Sequence, residues 1–588
     1  MKKIILLIVL VSILGGVYAQ LQPVALFDFV SYQNDREGKY IKLRLKTEFL
    51  KKIYEADMPI ITLSIPKGNG ESYVLELAQA NLLADNFELV AINDKGKRPI
   101  PYEKGRYYQG RLLAQEKSIA GISIFRNEVI GVFSDDNGNI NLGRLGNSED
   151  EYILYNDKEM NFPLKFNCGA GNNSGTPTAM SEGGGETRGK CVMVWFDCDN
   201  DLYQLKGSSV WATANHVTGL YNIVSTIYQN DPNTSVSTKI LSIYVWTSPD
   251  PFLETTSNAA LGSYETYQSS TNPPLFPAIY HLLARDGSGF GNGGIAYLEG
   301  FCSTNPTKSF AYSDILGYFY NFPTYSQDLT MVAHENGHSL GSHHTQWCGW
   351  NGGALDDCYT TEGGCLPGPT PINGGTIMSY CHLASSGINL SNGFGLQPGT
   401  VIKNYVNASC APTCSCPSNT IVSFYTFNPQ TPAIINKTEV SNTITSYNLT
   451  LNANTYTKFD AGSSITLQPG FWAKNGATFH AYIDGCGTAD DYVGISTPQN
   501  IVSYEFVIYP NPNNGFAKFE YTLPQNENIS ISIVNYTGQE VANPIKNENC
   551  IKGKYFYLFE NQLLTSGIYF VILKTEKQII TQKMIIHE

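Results

Sequence analysis

The stretch His334-Glu335-Asn336-Gly337-His338-Ser339-Leu340-Gly341-Ser342-His343-His344 decides the fold of the central part of this chain. On a helix, His334 and His338 lie four residues apart, so both imidazoles project from one face toward a single metal ion. Glu335 follows the first of these histidines, where its carboxylate can reach a water molecule on the metal and act as a general base. The apolar residues 331–333 run into the motif as a buried helix would. The pattern therefore predicts a helix that carries a metal site.

A glycine and a third histidine extend the motif beyond the helix. Gly341 lets the backbone turn sharply where the helix ends, because glycine reaches conformations that other residues avoid. The turn brings His344 round as the third nitrogen ligand, and the spacing makes its neighbour His343 a loop residue. Three protein ligands and one water are the open coordination of a catalytic zinc, whereas a structural zinc has a closed set of four ligands. The extended motif thus predicts one catalytic zinc ion held by His334, His338 and His344.

The extended motif resembles that of the metzincin zinc endopeptidases, and a second hallmark of that family follows it. Residues 376–382 are similar to the methionine-containing turn that lies beneath the metal, with Met378 in the turn. Within the metzincins the chain most resembles the reprolysin (adamalysin) branch, because residues 281–283 and 293–298 are similar to its glycine-rich strand and the segment before it. In that family the strand binds an extended peptide by adding it to the sheet edge. The resemblance implies an α/β catalytic domain that cleaves protein or peptide substrates.

Two positions around the third histidine and the methionine turn bear on the chemistry. Thr345 stands where many adamalysins carry Asp, so the hydrogen bonds around it are expected to differ from theirs. Tyr380 matches a position where other metzincin branches place a tyrosine that can approach the zinc. Two interpretations of Tyr380 stay open: it stabilises the developing oxyanion, or it is a tyrosine that only packs.

The N-terminus has the pattern of a secretory signal peptide. A charged start precedes the short apolar run 4–17, and residues 17–19 suit a cleavage site, so residues 1–19 are predicted to be removed. The run is too short to favour a membrane span, and no other apolar run approaches transmembrane length. The mature protein is therefore predicted to be exported.

The C-terminal residues 500–588 contain alternating strands with turns at Gly538 and Gly567, which predicts a small β-sandwich. Residues 566–569 and 583–586 also resemble the C-terminal sorting domain of the bacterial type IX secretion route. The resemblance implies that the secretion machinery binds this domain, and that the protein crosses the periplasm and outer membrane to be secreted or held at the cell surface. The alternative is an ordinary carbohydrate- or protein-binding sandwich, since a fold alone fixes no function.

Composition narrows the range of partners. The 588 residues are 42% hydrophobic, which suffices for several buried cores. Only 15% are charged, the net charge is −13 and no basic run is present, which argues against nucleic acid as a partner. Acidic residues are scattered, which leaves the binding of calcium undecided.

Two segments are predicted to lie ahead of the catalytic domain. Residues 20–168 alternate apolar and polar residues as an antiparallel β-domain does, and they resemble the propeptide of reprolysin-like proteases. Residues 169–190 are rich in Gly, Ser, Thr and Asn and are predicted to be an exposed linker. Arg188 and Lys190 are candidate cleavage points, because proteolytic nicking occurs in exposed linkers.

The catalytic domain is predicted over residues 191–411, and its part after the third histidine is expected to be irregular. Its predicted elements are strands over residues 192–196 and 240–246 and helices over residues 210–229 and 329–340. Residues 412–491 are predicted to be a small β-rich spacer, which resembles stacked-coil repeats found in exported bacterial proteins. The spacer contains no metal-binding or catalytic cluster.

The 13 cysteines favour disulfides, because the chain is predicted to be exported. Four of them surround the region after the zinc helix, and two disulfides of unassigned pairing are predicted among Cys348, Cys358, Cys365 and Cys381. The family resemblance implies that Cys302 pairs with Cys410. Ligation of a structural zinc by cysteines is the alternative.

An odd number of cysteines leaves at least one thiol. Cys168 lies between the propeptide-like domain and the linker, where related metzincins place a cysteine that ligates zinc and displaces the catalytic water. The resemblance makes Cys168 a candidate zymogen switch. A disulfide between Cys168 and either Cys191 or Cys198 is the alternative, and Cys550 is the other candidate for the remaining thiol.

Together these features predict a multi-domain chain with a β-rich propeptide, an α/β metzincin catalytic domain, a small β-rich spacer and a C-terminal β-sandwich. The predicted function is that of a secreted zinc endopeptidase, made as a zymogen, with Glu335 as general base. A pappalysin-like metzincin would share the mechanism and differ in disulfides and specificity. A surface adhesin on an inactive protease fold is the alternative from outside the enzymes.

Overall fold

The computed structural model describes most of the chain. The described residues are 23–113, 115, 117–146, 148–161, 168, 190–253, 255–271, 277–285, 293–319, 321–413, 419–423, 426–427, 435–453, 455–483, 504–509, 511–513, 515–550, 553–560 and 564–587. The predicted signal peptide and residues 169–189 of the predicted linker lie outside this set. The chain divides into two compact units, Met1–Gly487 and Thr488–Glu588.

The first unit begins with a β-rich region. Its elements are β1 (Phe27–Asp35), β2 (Gly38–Leu45), α1 (Thr47–Ala56), β3 (Ile60–Gly68), β4 (Glu71–Gln79), β5 (Leu83–Asn93), β6 (Gly96–Pro99), β7 (Arg106–Leu112), β8 (Ile119–Ile124), β9 (Val129–Asp135), β10 (Gly138–Arg144) and β11 (Glu151–Asn156). Nine of these strands form one antiparallel sheet in the order β1-β2-β11-β10-β9-β8-β7-β4-β3. Helix α1 buries Leu50, Ile53 and Tyr54, whose spacing puts them on one face toward the core of this sheet. The antiparallel β-domain predicted here is therefore confirmed for nine strands.

The catalytic region follows, and it contains the elements predicted from the sequence. They are β12 (Cys191–Cys198), α2 (Asn200–Leu205), α3 (Val210–Asn230), β13 (Ser237–Trp246), α4 (Ser257–Thr271), β14 (Ala278–Ala284), β15 (Gly294–Ala296), β16 (Phe310–Asp314), β17 (Tyr318–Phe319), β18 (Phe322–Pro323), α5 (Tyr325–Ser339) and α6 (Leu396–Ala408). The sheet runs in the order β15-β16-β14-β12-β13-β5-β6. Strands β5, β13, β12, β14 and β16 are parallel, whereas β15 and β6 run antiparallel at the two edges.

Strands β5 and β6 lie within the predicted N-terminal domain in sequence, but they pair in the sheet of the catalytic region and not in the nine-stranded N-terminal sheet. Strand β5 pairs in parallel with β13 over Glu88 to Ile92. Residues 89–92 form a continuous buried run, which is typical of a parallel strand covered on both faces. In an antiparallel strand with one solvent-exposed face, buried and exposed residues would alternate. The N-terminal region therefore completes the catalytic sheet and shares its core.

Helix α3 joins the two regions because it is buried between the N-terminal sheet and the catalytic sheet. Almost every residue from Thr213 to Tyr228 is buried, as expected of a helix covered on all sides. The Asn222 amide donates hydrogen bonds to the Tyr108 carbonyl at 3.2 Å, to the Ile122 carbonyl at 3.3 Å and to Ser123 Oγ at 3.1 Å. Buried polar groups that are satisfied in this way fix the register between two packed surfaces.

The part of the catalytic region after α5 is irregular, as predicted, and disulfides hold it together. The predicted pair Cys302–Cys410 is present, and the two predicted disulfides among four cysteines are Cys348–Cys365 and Cys358–Cys381. Such bridges replace the apolar contacts that this glycine-rich segment lacks, by restricting the unfolded chain.

The described residues of the spacer form stacked parallel strands. They are β19 (Asn419–Ser423), β20 (Thr426–Phe427), β21 (Ile435–Val440), β22 (Thr443–Tyr447), β23 (Thr450–Leu451), β24 (Tyr456–Ala461), β25 (Ser464–Leu467), β26 (Trp472–Ala473) and β27 (Thr478–Tyr482). Three parallel sheets, β19-β22-β25, β20-β23-β26 and β21-β24-β27, show a coil that repeats three times.

The second unit is an antiparallel β domain. Its strands are β28 (Glu505–Tyr509), β29 (Phe516–Leu523), β30 (Glu527–Asn535), β31 (Glu540–Cys550), β32 (Gly553–Glu560), β33 (Gly567–Lys574) and β34 (Ile579–Ile586). They form the sheets β28-β29-β32 and β31-β30-β33-β34, and alternating residues of both sheets share one apolar core. Among the residues described in either unit, no helix combines the length and the apolar character needed to cross a bilayer.

Candidate active site

Helix α5 positions the first two histidines and the acid between them. His334 and Glu335 are fully buried and His338 is 2% exposed. The start of the helix is tied to the preceding loop, because the Asp328 carboxylate accepts hydrogen bonds from the Leu316 and Gly317 amides at 3.0 and 2.9 Å. The helix is thereby fixed against the sheet, and its histidine face points into the irregular segment that follows.

The third histidine arrives by a glycine turn at the end of the helix. Gly341 has φ +91°, a left-handed conformation that favours glycine over other residues. Nε2 of His338 then lies 3.1 Å from Nε2 of His334 and 3.0 Å from Nε2 of His344. His343 lies outside this cluster and stacks on the ring of Trp347 at a centroid distance of 3.9 Å.

The opposite nitrogen of each ring faces an oxygen acceptor. Nδ1 of His334 lies 2.8 Å from the Ile377 carbonyl, and Nδ1 of His338 lies 2.7 Å from the Ser342 carbonyl. Nδ1 of His344 lies 2.6 Å from Oε1 of Glu362. Because each Nδ1 donates its hydrogen to these oxygens, the three Nε2 lone pairs are directed at one another.

Three converging lone pairs repel one another unless a cation lies between them, so this donor set fits a metal ion. Burial, followed by the proximity of His344, lowers the pKa of His334 and of His338, which keeps both rings in the neutral form that binds metals. For tetrahedral zinc, ligand nitrogens should lie about 3.3 Å apart, close to the observed spacing. Among the described residues, the other cluster of potential ligands contains Cys358 and Cys381, which are joined in a disulfide.

Glu335 lies beside the histidines, against the edge strand β15. A β-carbon on Gly294 would lie 2.3 Å from Oε1 of Glu335, so only glycine leaves room for the carboxylate there. Burial raises the pKa of Glu335 to about 8. Within the described residues its Oε1 has no hydrogen-bond partner. A buried carboxyl group with an unused oxygen beside the histidine cluster is suited to hold and transfer a proton.

The methionine turn closes the site from below. Met378 is fully buried, its carbonyl accepts a hydrogen bond from the Thr345 amide at 3.1 Å, and the carbonyl before it orients His334. The ring of Tyr380 packs 4.8 Å from the ring of His344. The Tyr380 hydroxyl donates a hydrogen bond to the Cys168 carbonyl at 3.1 Å. The tyrosine is therefore at the site, with its hydroxyl directed at the backbone of Cys168.

Cys168 brings the end of the N-terminal region into the site. Its Sγ lies 3.5 Å from Nε2 of His338 and 3.6 Å from Oε2 of Glu335, and its backbone forms a bridge with Gly294. A cysteine sulfur and a histidine nitrogen bound to one tetrahedral zinc should lie about 3.5 Å apart. Cys168 and Cys198 both carry thiols, whereas Cys191 is part of a disulfide, so the alternative pairing of Cys168 with either residue is wrong. Cys550 also carries a thiol, in the second unit.

Glu362 is a site residue that the sequence analysis did not identify. Burial raises its pKa, but the hydrogen bonds from His344 and Gln346 outweigh burial and leave the pKa below its ordinary value. The residue lies in an irregular loop, so no helical or strand spacing relates it to the histidines. The neighbouring cysteines predict that disulfides hold the loop, but they do not indicate which residue the Glu362 carboxylate contacts.

The site is thus a buried centre of three histidines with an adjacent carboxyl group, which defines a metal-dependent hydrolase. A model of the metallo-peptidase family M12, of the reprolysin type, matches residues 188–390. A model of the secretion system C-terminal sorting domain matches residues 507–587. The chain therefore carries an M12 reprolysin-like metallopeptidase domain, which makes it a peptide hydrolase, and a C-terminal type IX sorting domain. The sorting domain indicates secretion to the surface or outside the cell.

Two solved structures show a distant likeness to the chain. The crystal structure of metalloproteinase-II from Bacteroides fragilis is 14% identical, covers 48% of this chain and 81% of its own, and has a TM-score of 0.30. The structure of a chaperone–substrate complex is 13% identical, covers 47% of this chain and 38% of its own, and has a TM-score of 0.23. No curated protein sequence matches the chain. The assignment therefore rests on the two domain models and the site residues.

Proposed function

We propose that the protein is a secreted zinc endopeptidase made as a zymogen and exported across the periplasm and outer membrane. The observation that carries the proposal is the convergence of three Nε2 atoms beside the buried Glu335 carboxyl. His334, His338 and His344 would hold the zinc ion. When bound, zinc would polarise the scissile carbonyl and make a water molecule more acidic.

Glu335 is the general base of the proposed reaction. Its carboxylate takes a proton from the attacking water and delivers it to the leaving amine, which balances the hydrolysis of an internal peptide bond. The buried setting supports this role, because a carboxyl group with a raised pKa can both accept and release a proton near neutral pH. The Tyr380 hydroxyl is available to donate to the developing oxyanion once the Cys168 carbonyl has left.

Cys168 keeps the precursor inactive in the proposed scheme. Its sulfur lies where a fourth metal ligand belongs, and a thiolate there would take the place of the water that attacks the substrate. The backbone at residue 168 also forms a bridge with Gly294 on the edge strand, so Cys168 occupies part of the strand edge that an extended peptide would use. Both obstacles end when Cys168 leaves the cleft.

Two alternatives are less well supported. An adhesin on an inactive protease fold would not require Glu335 or the three converging histidines. All four residues are present and buried, which favours an active site. A pappalysin-like metzincin would share the mechanism, but the M12 model that matches residues 188–390 favours the reprolysin branch.

The base role of Glu335 is tested by the variant Glu335→Gln, in protein whose linker has been cut and whose N-terminal fragment has been removed. Because the carboxylate is proposed as a base and not as a ligand, hydrolysis of an unstructured protein substrate should fall by about 10²-fold or more while about one zinc per chain remains bound. Removal of zinc with a chelator should abolish the activity of the parent. Substantial turnover by the zinc-loaded variant would contradict the assignment, and loss of zinc would make Glu335 a support of the metal site instead.

A further inference from the structure

The three histidines differ in what holds their outer nitrogen. His334 and His338 face neutral backbone carbonyls, whereas His344 faces the carboxylate of Glu362 at 2.6 Å. A carboxylate that accepts an imidazole hydrogen makes the ring a stronger metal ligand, because the negative charge stabilises the ring as it donates electron density to the cation. The outer nitrogen of the third ligand thus faces a charged carboxylate, whereas those of the other two face neutral carbonyls.

His344 is also the ligand that needs this support most. The regular geometry of α5 places His334 and His338, whereas His344 lies beyond the helix in an irregular segment. Its backbone carbonyl accepts a hydrogen bond from Nε1 of Trp350 at 2.8 Å, which holds the main chain. The ring itself is oriented by packing against Tyr380 and by a contact at its outer nitrogen. The Glu362 carboxylate supplies that contact at the outer nitrogen of the ring.

Glu362 is itself held by a braced loop. Its amide donates to the Gln346 carbonyl at 2.9 Å, and its carbonyl accepts from the Cys348 amide at 2.9 Å. Nε2 of Gln346 donates to the same carboxylate oxygen at 3.1 Å. The disulfide Cys348–Cys365 closes the loop three residues after Glu362. The carboxylate is therefore held by the backbone on both sides and by the Gln346 amide.

We infer that Glu362 is a positioning residue that sets the metal affinity of His344, and that the Cys348–Cys365 disulfide holds Glu362 in place for this purpose. The inference rests on the proposed metal site. The inference goes beyond the proposed function, because zinc affinity would depend on Glu362, which is neither a metal ligand nor a residue that contacts the substrate. Loss of such a partner typically lowers metal affinity by about 10- to 100-fold.

The test measures zinc affinity by competition with a chromogenic chelator. All variants carry Glu335→Gln and Cys168→Ala, so that neither self-digestion nor the thiol affects the measurement. Glu362→Ala should weaken zinc binding by about 10- to 100-fold. Glu362→Gln should weaken it less, because the amide oxygen can still accept the imidazole hydrogen. Asp357→Asn is the matched control, since Asp357 is an exposed carboxylate in the same loop that bonds Thr370, and its affinity should equal that of the parent.

Thermal unfolding of the zinc-free protein separates positioning from a purely structural role. Positioning predicts that the zinc-free Glu362→Ala variant unfolds at the parent's temperature while its zinc affinity falls. Zinc affinity within twofold of the parent would overturn the inference, whether or not the zinc-free stability changes. The double variant Cys348→Ser, Cys365→Ser should also weaken zinc binding, with little further loss on adding Glu362→Ala. If the losses of zinc affinity from the disulfide variant and from Glu362→Ala are fully additive, the disulfide has no part in positioning Glu362. If the parent that carries only Glu335→Gln and Cys168→Ala does not bind zinc, the metal site itself is refuted.

Discussion

Gly294 offers a direct test of the placement of Glu335. In Gly294→Ala the new β-carbon would lie 2.3 Å from Oε1 of Glu335 and 2.6 Å from its Cδ. These distances are about 1 Å short of ordinary van der Waals contact, so the carboxylate must move by about that much. A displacement of about 1 Å in a reacting group costs about 10²-fold in rate. We therefore expect kcat to fall by about 10²-fold with zinc content unchanged.

The assay is hydrolysis of an internally quenched peptide by protein that has been cut in the linker and freed of its N-terminal fragment, with kcat and KM determined separately. Gly262→Ala is the matched control, because a β-carbon at Gly262 in helix α4 would have no neighbour within 4 Å. The control should keep the parent's kcat and gain up to about 1 kcal/mol in stability, as alanine replaces glycine in a helix. A parent-like kcat in Gly294→Ala would refute the reasoning. A rise in KM alone would also refute it, since it would mean that the methyl group hinders substrate and leaves Glu335 in place.

Three further predictions follow from the contacts of the N-terminal region and the second unit. The uncut precursor with Cys168→Ala should hydrolyse peptide at intact chain length, though more slowly than the fully activated protein, because the backbone at residue 168 still bridges Gly294. Cys550→Ala should leave the precursor latent, and a Cys168→Ala precursor with no more activity than the parent precursor would reject the switch. Deletion from residue 507 onward should leave peptidase activity intact and retain the protein inside the producing cell, which fractionation of cells and medium measures; normal export would contradict it. Asn222→Ala should destabilise the first unit by about 1–3 kcal/mol, because buried acceptors lose their donor. Calorimetry should show no comparable loss for the exposed Asn230→Ala on the same helix, and equal midpoints would count against the interface.

The sequence was sufficient to predict the features that depend on local spacing. The four-residue separation of His334 and His338 required a helix, and Gly341 required a turn, because both follow from backbone geometry within one short stretch. The edge position of β15 and the pairing Cys302–Cys410 came from family resemblance, and the structure contains both. Each of these features can be predicted from one short segment or from a pattern known in the family.

The features that the sequence could not supply depend on which distant segments meet. The buried run 89–92 indicates a strand covered on both faces, but nothing local says that its neighbour is β13 and not β4. Glu362 is one acid among many in the chain until the fold brings it to His344. Cys168 could equally have formed a disulfide, because an odd cysteine count does not identify the remaining thiol.

The pairing of strand β5 with the catalytic sheet limits what a cut in the predicted linker can achieve. Strand β5 pairs with β13, and Asn222 binds the backbone of the N-terminal sheet, so the N-terminal region is attached by contacts that do not depend on an unbroken chain. A cut after Cys168 leaves the thiol on the N-terminal fragment, and that fragment still holds its place in the shared core. The cut alone therefore makes it easier for Cys168 to leave the site. The protease stays latent for as long as the N-terminal fragment remains bound. We expect full activity only when the fragment departs or is degraded.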